Sequence, residues 1–419
     1  MGKGLKVLMM GGQRCGKSSA LAAIIDAFMK PPINALLQAR DTTVLDKSGQ
    51  EKQETITAKL AEIKDTLVKH QGRTILVNSG KTSKIWHYKV ALSIPDNMNE
   101  MEILFTDVNG EFYESGNMHD DEVSALIENY DVFVIAVDTP FLMEAFNDNN
   151  EYVDSIINEK YNFVDDIHNF LTSINLRNNQ EAKLVIFTPI KCEAWIQTGR
   201  AEEVVQRTKE VYATAIAGLE KHSNIRIEFL PVQTVGNMVF QEHLPASVFS
   251  WSKSFLLFFS RQVSMKGSLL INGNVRLSDG TEMSPSIGML ADDMDSVLIP
   301  DTDIVRPNSW FLVKSTEYAP KNCEQLALHI LEFMLRKVID ARIREEKNRG
   351  FFERGARAAF NILLNASTLG LWSKLKDYFG NIPLEKMTEI IGTMQSQQII
   401  KYNGEGIEIY KDVELLKQQ

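Results

Sequence analysis

The sequence predicts an α/β chain: a six-stranded, mostly parallel sheet with one antiparallel edge strand, enlarged by insertions and followed by a small α+β tail. Three observations lead there. Apolar runs of strand length alternate with helical patterns, the order that builds a parallel sheet covered on both faces. A glycine-rich turn separates the first run from the first helix. Between the second and third runs stand only Pro95-Asp96-Asn97-Met98-Asn99-Glu100. That is too short for the roughly dozen residues of a parallel crossover, so these two runs form an antiparallel hairpin.

The first run, 5–10, is followed by Gly11-Gly12-Gln13-Arg14-Cys15-Gly16-Lys17-Ser18, which fits G-x-x-x-x-G-K-[ST], and then by a helix predicted over 17–29. Strand, glycine-rich turn and helix in that order make a phosphate cradle. Backbone N–H groups of the turn, continuing through Ser19, wrap phosphate oxygens, and the helix N-terminus adds its positive dipole. Glycine permits backbone angles and a close approach that a Cβ would block. Lys17 is expected on the β- and γ-phosphates and Ser18 on Mg²⁺. The chain is therefore predicted to bind a nucleoside triphosphate, GTP or ATP, with Mg²⁺.

The remaining runs lie at 84–94, 101–106, 131–138, 183–188 and 225–232, with helical patterns at 119–129, 152–174, 201–221 and 322–342. The third run ends in Asp107-Val108-Asn109-Gly110-Glu111, a D-x-x-G sequence. An aspartate at the C-terminal end of a strand reaches the crevice where open α/β sheets bind ligands, and Asp107 is the second predicted Mg²⁺ residue. Gly110 could offer its N–H to the γ-phosphate, and it and the following Glu111 are the catalytic candidates beside Lys17. Residues 112–121 would then be a switch, ordered while the phosphate is present. Arg14 could reach the phosphates from inside the loop. After the fifth run comes Thr188-Pro189-Ile190-Lys191-Cys192-Glu193, and after the sixth Pro231-Val232-Gln233-Thr234-Val235-Gly236.

In order and position these motifs resemble Ras-like, TRAFAC-class P-loop GTPases. With Tyr318-Ala319-Pro320-Lys321-Asn322-Cys323-Glu324-Gln325 added, they are similar to the double-GTPase-type proteins of bacterial conflict and signalling systems. The resemblance implies that Lys191 packs along a guanine ring, that Glu193 accepts from its N1 and N2 hydrogens, and that backbone around Thr234 contacts the base. Ile190 stands where the family has Asn, and Glu193 is one methylene longer than the family's Asp. It further implies slow, Mg²⁺-dependent GTP hydrolysis coupled to a switch, and protein partners, either a second GTPase or an effector. Two alternatives stay open: an ATPase or small-molecule kinase, and a non-hydrolysing nucleotide-binding scaffold that acts through its tail.

The nucleotide domain is expected over 1–342, with insertions at 31–83 and 241–315. The first carries a charged helical pattern at 51–70 and three threonines, Thr42, Thr43 and Thr82, any of which could reach Mg²⁺ and the γ-phosphate. The second carries an apolar run at 248–259, a hairpin expected over 269–277 through Asn272-Gly273, and an acidic run, Asp292-Asp293-Met294-Asp295, read as a solvated loop. Beyond a basic stretch around Arg342, Arg344 and Lys347, residues 343–419 show amphipathic patterns at 356–378 and 384–396. An alternating segment at 399–410 turns at Asn403-Gly404. Helices followed by such a wing resemble a winged-helix module, and its acidic residues favour a protein partner; a plain helical extension is the alternative.

Composition sets the outer limits. The chain has 419 residues, 44% of them hydrophobic, without the ~20-residue apolar stretch that a membrane span needs. A formal net charge of −10 lacks the basic footprint of a dedicated nucleic-acid binder. The 3 cysteines form no C-x-x-C pair and the 7 histidines no metal-ligand spacing. With no apolar signal segment at Met1-Gly2-Lys3-Gly4-Leu5-Lys6, a reducing cytoplasm is the expected setting.

Overall fold

The computed structural model describes residues 4–12, 15–36, 38–45, 51–52, 56–76, 86–93, 100–108, 129–144, 159–176, 182–244, 268–269, 275–276, 282–283, 289–290, 308–352, 384–397 and 400. The chain opens with β1 (Gly4–Gly11), α1 (Lys17–Phe28) and a short α2 (Ile33–Leu36). It continues through β2 (Gln38–Leu45), β3 (Glu51–Lys52), α3 (Ile56–His70) and β4 (Thr74–Leu76). The hairpin strands β5 (Trp86–Ser93) and β6 (Glu100–Asp107) come next, then β7 (Val132–Asp138) with α4 (Thr139–Met143). A 3₁₀ turn at Glu159–Asn162 leads into α5 (Val164–Leu176), followed by β8 (Lys183–Ile190) and three helices, α6 (Glu193–Gln197), α7 (Ala201–Val211) and α8 (Ala213–Leu219). The last parallel strand is β9 (Ile225–Phe229).

Strands β6, β1, β7, β8 and β9 run parallel, and β5 pairs antiparallel with β6 from Trp86 opposite Asp107 to Ser93 opposite Glu100. All six predicted strands are present. The antiparallel β5 is not at the edge, however. β2 pairs antiparallel with it and β3 with β2, giving eight strands in the order β3-β2-β5-β6-β1-β7-β8-β9. The first insertion supplies these strands, β3 taking the start of the pattern expected as helix at 51–70, because the open edge of β5 presents unpaired backbone groups that a mostly polar strand can satisfy. Thr42 and Thr43 thus lie in β2, separated from β1 by β5 and β6.

Alternation along the strands sorts side chains into two cores. Leu5, Val7 and Met9 of β1 enter one, while Leu8 and Met10 enter the other. β7 and β8 are buried along their whole length, as central strands of a sheet covered on both faces must be. On one face lie α1, α9 (Cys323–Phe352) and α10 (Leu384–Ser396). On the other lie α5, α7 and α8. α9 is fastened to the sheet edge where Arg226 of β9 donates to Glu332 over 2.9 Å and to Glu228 over 2.9 Å. It runs unbroken past residue 342, and Met387, Ile390 and Met394 of α10 join the main core.

Two helices differ from expectation. Within the pattern at 152–174, the described residues, from 159 on, form a 3₁₀ turn and a later helix, because Phe163 between them takes a left-handed φ of 54°. The pattern at 201–221 breaks at Tyr212 into α7 and α8.

The two insertions meet. β10 (Met238–Leu244), β15 (Asn308–Val313) and β4 form a second, antiparallel sheet in the order β10-β15-β4. Ile63 and Leu67 of α3, Ile75 of β4, Val313 of β15 and Val235 build a small core of their own beneath it. Within the second insertion, β11 (Ser268–Leu269) pairs with β14 (Met289–Leu290), and β12 (Val275–Arg276) with β13 (Glu282–Met283). The hairpin expected through Asn272-Gly273 is therefore replaced by a nested pairing, β12 with β13 inside β11 with β14. Residues 119–128, 248–259, 292–295, 356–378 and 401–410 lie outside the described residues. No described helix is long and apolar enough to cross a membrane.

Candidate functional site at the strand ends

The glycine-rich loop lies where β1 gives way to α1, and its glycines are required by what surrounds them. Gly11 has φ 140°, and a Cβ there would stand 2.4 Å from the carbonyl oxygen of Ala136 on β7. A Cβ on Gly12 would stand 2.8 Å from the ring of Phe163. Gly16, with φ 104°, caps α1 in a left-handed conformation without a side-chain cap, and the first turn of the helix carries no acidic residue. The amides and the dipole at this helix end are of the kind that can take an external anion. Cys15 is buried in the core and contributes backbone here, while Ser19 is half-buried.

Lys17 is buried and turns its ammonium back on the loop, donating to the carbonyl oxygens of Gly11 and Gly12 at 2.9 Å each. Ser18 Oγ donates to Asp107 Oδ2 across 2.6 Å. Asp107 closes β6, is fully buried, and its Oδ1 has no hydrogen-bond partner among the described residues. Burial pushes its carboxyl above the usual carboxylate range, with the Lys17 charge and the Ser18 hydrogen bond pulling the other way. A hydroxyl beside a buried carboxylate with an unsatisfied oxygen is the hard-oxygen donor set that fits Mg²⁺. That ion takes one or two protein ligands and completes its shell with phosphate and water. No cluster of three or more acidic, His or Cys side chains able to hold a metal occurs among the described residues.

Beyond the loop, Lys191 follows β8 with a left-handed φ of 59°. Its Nζ lies 2.8 Å from Oδ2 of the fully buried Asp138, and its Cε is 3.2 Å from where a Cβ on Gly16 would stand. The lysine expected on the base side is therefore brought against the glycine loop. Glu193 opens α6 and is buried; its Oε1 accepts from the backbone N–H groups of Val235 at 3.0 Å and Gly236 at 3.1 Å. Desolvation raises its carboxyl, which the two amides only partly offset. Glu193 thus anchors the 231–236 loop, and the oxygen used for that is not directed at a base. Thr234 is buried in the same loop.

That loop is clasped from its other side as well. Gln197 Nε2 donates to Gly236 O at 3.0 Å, Ala319 N–H to Val235 O at 3.1 Å, and Gln233 exchanges backbone hydrogen bonds of 2.9 Å with Lys321. Gly236 has φ 87°, and a Cβ there would fall 1.8 Å from the carbonyl oxygen of Ala319. Gln13, Arg14, Thr82, Gly110, Glu111 and residues 112–121 lie outside the described residues. Asp138 and Asn162 were not anticipated. Asn162 Oδ1 accepts the Asp138 N–H at 2.7 Å, and its own carbonyl accepts from Tyr212 Oη at 3.1 Å. The available signal for Asp138 was an acid ending a wholly apolar strand; Asp107 likewise ends a strand, but was marked by its D-x-x-G sequence.

Compared with known proteins, the chain matches no family's sequence profile and no curated protein sequence.

Proposed function

We propose that this chain is a P-loop nucleoside triphosphatase of the Ras-like class, which binds GTP with Mg²⁺ on the glycine loop and hydrolyses it slowly as a conformational switch. The setting that suits it is a bacterial signalling or defence system with protein partners. The observation that carries the reading is the convergence of Lys17, the uncapped α1 N-terminus and the Ser18–Asp107 pair with its unsatisfied buried Oδ1.

In this reading the loop amides and Lys17 cradle the phosphates, the lysine exchanging the Gly11 and Gly12 carbonyls for phosphate oxygens. Ser18 and Asp107 would hold Mg²⁺, which supplies charge neutralisation for phosphoryl transfer to water. Gly110 and Glu111, directly after the Asp107 strand, would sense the γ-phosphate and orient the water. The Lys191 stem and the 231–236 loop flank the nucleoside.

An ATPase is the second reading, favoured by one observation: Glu193, the residue expected to select guanine, spends Oε1 on Val235 and Gly236. Titration with labelled GTP and ATP, with and without Mg²⁺, followed by a phosphate-release assay, tests both. Tighter GTP binding and Mg²⁺-dependent release support the GTPase; ATP preference supports the second reading. Binding of neither nucleotide would refute the site.

A further inference from the structure

We propose that Asp138 is a positioning residue for the nucleoside: it holds the ammonium of Lys191 away, so that the lysine's aliphatic stem forms the surface beside the glycine loop. The inference rests on the reading of that loop as a nucleotide site. Asp138 is fully buried at the C-terminal end of β7, and its Oδ2 meets Lys191 Nζ at 2.8 Å. The lysine stem runs past Gly16, its Cε 3.2 Å from the position of a Cβ on that glycine. The stem therefore borders the first turn of α1, next to Lys17 and Ser18. A ligand with its phosphates on that turn brings its sugar and base to this border.

Lysine alone would not stay there. Its four-carbon stem is flexible and its ammonium strongly hydrated, so an unpaired Lys191 would turn to water. The buried carboxylate in turn would be costly without a cation. The pair fixes both, and two further contacts make the anchor stiff. Asn162 brackets Asp138, accepting its N–H at 2.7 Å and donating to its carbonyl at 3.3 Å. Thr139 Oγ1 meets Cys192 Sγ at 3.0 Å, tying the ends of β7 and β8 together on either side of the ion pair. The left-handed backbone of Lys191, φ 59°, is the sort of conformation that persists only where its surroundings impose it. The charges hold one another, and the methylenes meet the ligand.

The test compares two probes: inorganic triphosphate, which reads the glycine loop alone, and whichever of GTP and ATP the wild type binds more tightly. Asp138→Ala and Asp138→Asn should lower nucleotide affinity about tenfold or more while leaving inorganic triphosphate within about twofold. The double variant Asp138→Asn/Lys191→Met, which keeps an apolar stem and needs no counter-charge, should recover nucleotide affinity to within about threefold of wild type. Unchanged nucleotide affinity in both single variants, an equal loss for inorganic triphosphate, or a double variant as weak as the singles would overturn the proposal. A wild type that binds neither probe would instead remove the nucleotide reading beneath it.

Discussion

Ser18 and Asp107 stand 89 positions apart in the chain, yet Ser18 Oγ donates to Asp107 Oδ2 across 2.6 Å. Parallel pairing of β1 with β6, which sets Met9 opposite Asp107, brings the strand ends and hence the two side chains together. Ser18→Ala should lower the Mg²⁺-dependent part of triphosphate affinity by about tenfold, or ~1.4 kcal/mol, and leave binding in chelator within about threefold. Asp107→Asn should act in the same direction. Titrations with Mg²⁺ and with chelator measure both, and an unchanged Mg²⁺ effect in the two variants would contradict the metal assignment.

Lys17→Ala should abolish detectable triphosphate binding while the protein still melts cooperatively. The substitution removes two hydrogen bonds from a buried ammonium to Gly11 and Gly12, so a stability loss of about 1–3 kcal/mol is expected. Calorimetric binding and melting on the same sample separate the effects. Native-like affinity in the variant would remove the loop from the site.

Glu193 gives a pH signature. Burial holds its carboxyl above the ordinary glutamate value, so the folded state keeps a proton that the unfolded chain releases. Its contribution to stability therefore falls as pH rises from the ordinary range through the raised value. Glu193→Gln keeps an acceptor for the Val235 and Gly236 amides and removes the charge. Urea midpoints of the variant should decline less steeply across that interval, though not flatten fully, because Asp107 and Glu324 are raised in the same sense. A slope identical to wild type would show that Glu193 does not titrate there. Because this residue anchors a loop, Glu193→Gln should also leave the ratio of GTP to ATP affinity within about threefold of wild type.

Gly236→Ala should cost about 2 kcal/mol or more, since a Cβ would overlap the Ala319 carbonyl and the backbone is left-handed. Chemical denaturation reads this directly, and a change under ~0.5 kcal/mol would mean that the 231–236 loop and the segment after β15 are not clasped as described.

What was legible in the sequence follows from where the physics is local. The apolar runs of β1, β7 and β8 are strands because alternation feeds two cores, and the 95–100 connection forces the β5–β6 pairing whatever else surrounds it. The glycine loop was legible because its glycines answer to steric demands repeated in any such turn. β2 was not, since Gln38, Arg40, Asp41, Thr42 and Thr43 carry little apolar signal and the strand exists by borrowing the edge of β5. Lys191 was placed on the base side by its position after β8, but its partner Asp138 is 53 residues away and no local pattern announces the contact. Spacing likewise located Glu193, while the amides of a distant loop, which no local pattern announces, decided what its Oε1 does.

The pairing of β4 with β15 joins a strand that precedes most of the large sheet to one that follows all of it. Such a closure needs the intervening chain already laid in place, because the entropy of bringing distant segments together must be met before their contacts form. The three-stranded sheet is therefore a late event in folding. Its own core has few side chains, centred on Leu67 and Val313, although Phe240 of β10 and Phe311 of β15 also enter the second core of the large sheet, so it should open before β1, β7 and β8 do. Opening there would free the β10–β15 and β15–β4 pairings while β1, β7 and β8 stay protected, and β2 and β3, which belong to the large sheet, should exchange with that sheet, so exchange-resistant and exchange-prone amides should divide along the boundary between the two sheets.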